Sequence, residues 1–550
     1  MKKYIMGCVA AIGLMLASCN DKLDVTPPNQ ISDEQIQEIL RSGNETKIQM
    51  IMSGLVSNLY TNFELAGSYS GFGSNPLNPL TNQDLFGNLR GNDIVLGERT
   101  LGSSGTYQLF YNIDSSFEPW LASDRTDNYT WWWLSVTPAT NANKVLVYLG
   151  SDVVKDSGSK SMKDYRARCL TVRAYGYNML MERFQKAYLL GGKDGKGMPI
   201  YTTYGVNTPV APSSATDTYN FIKNDLKEAV QLFGDSQIGT GLDGYTAATN
   251  DIDRGVAQFL LARVSLWTGD YATCISSCQE ILTHFPTFIP QAAYGIQNSR
   301  VNAIAAGKDD VKADDNAFSC LTKNPECIMG WIDGNGAQTY QYSNFNCFAE
   351  GSGGLGAYYM RIDNRLYDKI ADDDFRKGIF LTNSASYPYP TDGKPMTIPS
   401  YTNLKWGATI SKQQTKRNSN INCDYSYYRA SEALLMLAEA QASSGQDAAA
   451  KATLNKLLAA RTKTGATAVL TCDNYPSMKG MTALDMVKLQ WRIEMWGENG
   501  DEFYNNKRWN VPTDRNGSAI HWSSGKTYSV DHMTYEIPIQ ETSTNGHWND

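Results

Sequence analysis

The sequence predicts a mainly α fold in which helical hairpins support a large irregular, loop-rich half with minor short strands. Three observations carry this expectation. From Arg254 to Pro286, Leu260, Leu261, Val264 and Leu266-Trp267 recur at helical spacing, Gly269-Asp270 breaks the period, and Ile275, Cys278 and Ile281-Leu282 restart it before Phe285-Pro286. The register returns far down the chain. Leu437-Ala438 is followed by Gly445 and Ala450 as Leu261-Ala262 is followed by Gly269 and Cys274. Two long stretches, 67–125 before the first hairpin and 291–400 between the two, are dominated by Gly, Asn, Ser and Pro with aromatics interleaved.

The two hairpins resemble tetratricopeptide units, with Ala262 and Cys274 as the small residues that let paired helices approach. A hairpin repeat is a scaffold, so function is sought in what hangs on it. Cys274 and Cys278, at i and i+4, read as small core residues, as does Trp267.

The remaining elements follow in order. Lys2-Lys3 precede an apolar run from Ile5 to Leu16 that is too short to span a membrane and reads as a signal peptide over residues 1–18. Leu16-Ala17-Ser18-Cys19 resembles the lipobox of bacterial lipoproteins, which implies lipidation of Cys19, and 19–30 is a polar tether. Residues 31–550 then read as one domain, with scaffold from about 31–66, 131–290 and 424–510. Ser32 and Gln35 form a capping box opening a helix through Leu40, and Ile48, Met52, Leu55 and Leu59 mark the next helix. Trp131-Trp132-Trp133 begin a helix running to Leu146, Asp164 to Leu190 forms another, and Ser214 to Phe233 is capped by Ser214. After the hairpin at Arg254 come a second hairpin over Asp424 to Arg461, a helix from Thr482 to Trp496, and an irregular tail.

Composition narrows the function classes. The 550 residues carry a net charge of −7, which argues against nucleic acid, because phosphate binding needs clustered Lys and Arg. Four histidines with none beside a cysteine pair exclude a zinc cluster, Ile252 occupies a ligand position in the only calcium-like loop, and Gly191 to Gly197 lacks the Walker A spacing. No cofactor or metal is expected. Arg492, Glu494 and Glu498 look like acid/base carboxylates but on an amphipathic helix read as a structural ion-pair network.

Segments in order resemble the SusD/RagB family of outer-membrane nutrient-binding lipoproteins. They are Arg173-Ala174-Tyr175-Gly176-Tyr177 with Phe184 and Met198-Pro199; Tyr219 to Ala229; Ala257 to Ala272; and Glu432 to Ala440 with Gly445, Asn455 and Arg461. Toward the end, Arg492 to Glu498 with Lys507-Arg508-Trp509 and Tyr535 to Pro538 complete the set. Glu502 and Asn505 depart from the family, which often has Arg and Asp there. The resemblance implies a mostly helical single domain of about four tetratricopeptide-like hairpins cradling ligand-binding loops. It also implies a TonB-dependent SusC-like barrel as partner, outer-membrane attachment at the cell surface, and no catalysis.

A glycan binder stacks sugar rings on aromatic faces and hydrogen-bonds their hydroxyls with neighbouring polar groups. The loops offer Tyr69, Tyr107 and Trp120 near Asp84, Arg90, Asn92 and Asp93, then Trp331, Tyr340 and Tyr342 near Asp333, Asn335 and Gln338. The expectation is capture of oligo- or polysaccharide for a barrel transporter. Peptide or glycoprotein capture, a surface glycoside hydrolase and a structural adaptor stand as alternatives.

Overall fold

A computed structural model describes residues 31–60, 87–96, 122–205, 208–246, 248–295, 316–318, 320–332, 360–381, 385–391, 394–398, 400–405, 424–521 and 525–550. The signal peptide, Cys19 and tether lie outside these residues, as do Tyr69, Asp84, Tyr107, Trp120, Asp333, Asn335, Gln338, Tyr340 and Tyr342.

Helices dominate, as the periodicity requires. They are α1 (Asp33–Arg41), α2 (Glu45–Tyr60), α3 (Thr126–Leu146), α4 (Ser151–Ser157), α5 (Lys160–Phe184), α6 (Ala215–Ser236), α7 (Arg254–Thr268) and α8 (Tyr271–His284). After the irregular region follow α9 (Ala430–Ser443), α10 (Asp447–Arg461), α11 (Ala483–Glu494), α12 (Asp501–Trp509) and α13 (Ile539–Thr544). Caps fix the starts. The Ser32–Gln35 box closes both ways on α1, Ser214 accepts the Asp217 N–H, Asp253 the Val256 N–H, and Thr482 the Asp485 N–H. Gly269, at φ +76°, ends α7 in the left-handed conformation that glycine adopts without strain, and Asp270 caps α8 immediately after it.

Each helix packs on the next. α2 and α3 contact α5, α5 contacts α6, and the stack runs on through α7, α8, α9 and α10 to α11. This is the expected hairpin scaffold, with one continuous apolar core. Ala262, Cys274 and Cys278 are all buried in it, and the Cys274 thiol approaches the Met436 carbonyl of α9 at 3.8 Å. All six cysteines among the described residues are free. Trp267 packs inside as expected, and so do Trp131 and Trp132.

Several boundaries differ from the sequence reading. α3 begins five residues before Trp131, at Thr126. α5 stops at Phe184, because Gln185 turns to an extended backbone before a short turn at Tyr188–Leu190. The second hairpin opens as a strand, because Tyr425–Arg429 is rich in β-favouring tyrosine and finds a partner strand. The tail holds α12 and α13, so it is not wholly irregular.

Short ladders occupy the irregular half. β1 (Ile94–Leu96) pairs with β3 (Met360–Ile362), β2 (Cys327–Trp331) with β6 (Tyr425–Arg429), and β4 (Ala385–Thr391) with β5 (Lys394–Ile398), all antiparallel.

Candidate functional site and its relatives

The motif residues that drew attention in the sequence are mostly fastenings. Arg173 of α5 holds both oxygens of Asp225 on α6 at 2.7 and 2.8 Å. Arg263 of α7 reaches Glu182 of α5, Glu432 of α9 and Asp501 of α12 at 2.7, 2.8 and 3.1 Å, joining four helices. Arg508 of α12 grips Glu439 of α9. Such bidentate guanidinium–carboxylate pairs fix orientation as well as distance.

The largest network lies beneath the strands. Glu494 accepts from Arg376 at 2.9 Å, Arg429 at 2.7 Å and Arg461 at 2.8 Å, and Glu326 and Glu498 complete the shell around those cations. Burial alone would raise the Glu494 carboxyl, but the three guanidiniums outweigh it and hold the group well below the usual carboxylate range. Burial pushes Lys405, which donates to Glu498 and to the Glu494 and Trp496 carbonyls, down to about 8. Glu494 is fully buried and cannot meet a sugar as an acid or base. Glu494 and Glu498 therefore sit in a structural ion-pair network as expected, but Arg492 is not part of it and pairs with Asp93 instead.

Two ladders pair residues that flank the aromatic stretches. Leu96, at the end of β1, pairs with Met360, at the start of β3. Trp331, at the end of β2, pairs with Tyr425, at the start of β6. Each ladder thus gives two segments from distant parts of the chain a common footing.

Arg90, Asn92 and Asp93 form part of that footing. All three are buried. Arg90 donates to the Tyr535 hydroxyl and lies 5.3 Å from that ring's centroid. Asn92 donates to the Pro512 carbonyl at 3.2 Å and accepts from the Asp514 N–H at 2.6 Å. Asp93 takes both Arg492 donors, one at 2.8 Å, while its carbonyl accepts from the Trp496 indole at 3.0 Å. The departing residue Glu502 accepts the backbone N–H groups of Asn92 and Asp93, and Asn505 accepts from Arg508 at 2.8 Å. The three residues tie the root of the first loop to α11, α12 and the tail.

Trp331 ends β2, half-buried against the core, and among the described residues its indole N–H makes no hydrogen bond. The Gly330 N–H just before it donates to the Thr249 carbonyl at 2.7 Å, and beside this junction opens a cleft of about 500 Å³. Tyr245 and His284 stack in its wall with centroids 3.5 Å apart and an interplanar angle of 9°. His284 Nε2 lies 3.2 Å from Asp243, and Thr246, Asn324 and Phe285 complete the lining. Burial opposes ionisation of Asp243, but the Tyr245 N–H and His284 prevail and keep its carboxyl below the ordinary range. Sequence reasoning missed this cleft. The glycine cluster Gly239, Gly241 and Gly244 beside Tyr245 is the one local mark of it in the sequence.

Two family models match the chain: the SusD family over residues 336–549, and a SusD-like model described as starch-binding and associating with the outer membrane over residues 96–242. The chain belongs to the SusD/RagB family. No curated protein matches the sequence at a significant level. Among solved structures, a SusD-like carbohydrate-binding protein from Bacteroides vulgatus ATCC 8482 shares 17% identity over 91% of this chain and 97% of its own, with a TM-score of 0.64. A SusD superfamily protein from Bacteroides thetaiotaomicron VPI-5482 shares 18% over 90% and 98%, with a TM-score of 0.60. Surface glycan-binding protein A from Bacteroides fluxus shares 18% over 90% and 96%, with a TM-score of 0.56. These likenesses establish the mainly helical SusD-like fold. Among the described residues of this SusD-like chain, no group of carboxylates, histidines and cysteines could hold a metal ion, and no helix is long and apolar enough to cross a membrane.

Proposed function

We propose that the protein captures oligo- or polysaccharide at the cell surface and delivers it to a TonB-dependent SusC-like outer-membrane transporter. Cys19, acylated, anchors it to the outer membrane, and the protein moves as a hinged lid over the barrel. The ligand-facing half comprises 67–125 and 291–400, and the helical scaffold holds those segments over the barrel. The observation that carries the reading is the pairing of Leu96 with Met360, which sets a residue of the first aromatic segment beside one of the second, together with the half-buried Trp331, whose indole N–H makes no hydrogen bond among the described residues. Family membership, and the carbohydrate-binding and glycan-binding names of the solved relatives, support it. Trp331, with Trp120, Tyr69, Tyr107, Tyr340 and Tyr342, supplies the stacking faces; Asp84 and Asn335 meet hydroxyls; Arg90, Asn92 and Asp93 hold the first loop in place.

Isothermal titration of protein lacking Cys19 against a glycan panel tests the reading. Saturable binding without release of reducing ends supports it. Binding to peptides alone would replace the ligand class, and released reducing ends would replace capture by hydrolysis.

A further inference from the structure

A second cavity of about 440 Å³ opens on the helical side of the molecule and shares no lining residue with the cleft beside Trp331. α3 supplies Trp132 and Thr140, the segment after α5 supplies Tyr201, Thr203 and Tyr204, and α13 supplies Glu541. Its size lies within the range of small-ligand sites, and it combines aromatic faces with a few convergent polar groups.

The walls are held in place before any ligand arrives. The Tyr201 N–H donates to the Tyr177 hydroxyl at 2.8 Å, the Tyr201 carbonyl accepts from Asn143 at 2.8 Å, and the Tyr201 hydroxyl accepts from the Val210 N–H at 3.1 Å. Trp132 is edge-to-face with Phe184 at 5.1 Å and with Trp548 at 6.3 Å, which fixes its indole plane. Such prior ordering removes entropy that a ligand would otherwise have to remove.

The polar groups are only partly used. Trp132 is 7% exposed, yet among the described residues its indole N–H makes no hydrogen bond. One Glu541 oxygen accepts from Trp548 at 3.0 Å and from Asn545 at 3.3 Å, which leaves the other oxygen open. Thr140 donates to the Val136 carbonyl at 2.9 Å and keeps its lone pairs, and among the described residues the Thr203 hydroxyl makes no bond. Tyr204 is 54% exposed, with Lys144 lying 5.1 Å from its ring centroid. An unpartnered donor, a half-paired carboxylate, free hydroxyls and an exposed ring match a ligand that is apolar on its faces and hydroxylated at its edges.

We propose that this groove is a second saccharide-binding site. A sugar ring lies on Tyr204, and its hydroxyls bond to the Trp132 N–H, Thr203 and the open oxygen of Glu541. The inference shares the ligand class of the proposed function but not its site, so a long glycan engages the protein at two places.

The test is calorimetric titration of protein lacking Cys19 with short linear glucans, mannans, xylans and N-acetylglucosamine oligomers, comparing Tyr204→Ala, Trp132→Phe and Trp331→Ala. Trp132→Phe keeps an aromatic ring and removes the N–H, while Tyr204 is exposed enough that its loss leaves the fold intact. The expected result is two binding events, of which Tyr204→Ala and Trp132→Phe each weaken one by about tenfold and Trp331→Ala weakens the other. A single event removed by Trp331→Ala and unmoved by Tyr204→Ala overturns the second site and leaves the proposed function standing. Two events that are both unmoved by Tyr204→Ala and Trp132→Phe overturn it as well. No binding by any glycan overturns both readings.

Discussion

Replacing Glu494 by Gln keeps the side chain's shape and removes one charge from the centre of the molecule. The cluster around it holds four cations, Arg376, Arg429, Arg461 and Lys405, against four carboxylates, Asp374, Glu326, Glu494 and Glu498. All eight side chains are buried, so water cannot compensate a surplus positive charge. An amide NH₂ would also face guanidinium donors where Arg429 and Arg461 now meet an oxygen at 2.7 and 2.8 Å. Breaking a buried ion pair by removing one partner costs about 3 to 5 kcal/mol, and Glu494 partners three guanidiniums, so we expect a loss of at least about 4 kcal/mol. Urea unfolding followed by far-ultraviolet circular dichroism reads this as a lower midpoint at unchanged slope. A midpoint within about 1 kcal/mol of wild type would refute the claim that this network staples the scaffold.

Two further substitutions test its local geometry. At Gly176 an added methyl would meet the Ser135 carbonyl at 2.5 Å and the Ala139 nitrogen at 3.1 Å on α3, so Gly176→Ala should destabilise by about 2 kcal/mol despite alanine's better helix propensity. A neutral or stabilised variant would show that α3 and α5 do not approach so closely. Burial, with the Asp93 charge beside it, pushes Glu502 from its ordinary 4.5 up to about 8. The folded state therefore holds this proton more tightly than the unfolded chain, and the stability it contributes is complete below the ordinary value and lost as pH rises through about 8. Glu502→Gln should gain on wild type between about pH 6 and about pH 9. A constant difference between the two unfolding midpoints across that range would contradict the assignment.

How much could be read from sequence depended on how local the determining interactions are. The capping box at Ser32, the break at Gly269 and the cap at Ser214 act within a few residues, and the structure places them as the pattern requires. Periodicity likewise marked the buried faces that stack into one core. Tyr425–Arg429 was hidden because its strand exists only through β2, about a hundred residues earlier in the chain. Arg90, Asn92 and Asp93 looked like polar companions of loop aromatics, but the partners that bury them, Tyr535, Asp514 and Arg492, come from the far end of the chain. The network at Glu494 was legible as structural from its helix, although its cations come from widely separated segments. The Tyr245–His284 wall and the groove at Trp132 arise from loops and helices meeting in space, which no periodic signal reports.

The central claim is that Trp331 and the aromatic segments 67–125 and 291–400 bind carbohydrate. It is tested most directly by titrating protein lacking Cys19, wild type and Trp331→Ala, with the glycan that binds best from the panel. The account predicts saturable binding that weakens by about tenfold or more in the variant while its unfolding midpoint stays close to wild type. Unchanged affinity in Trp331→Ala, or no binding by any glycan alongside binding of peptides, would contradict it.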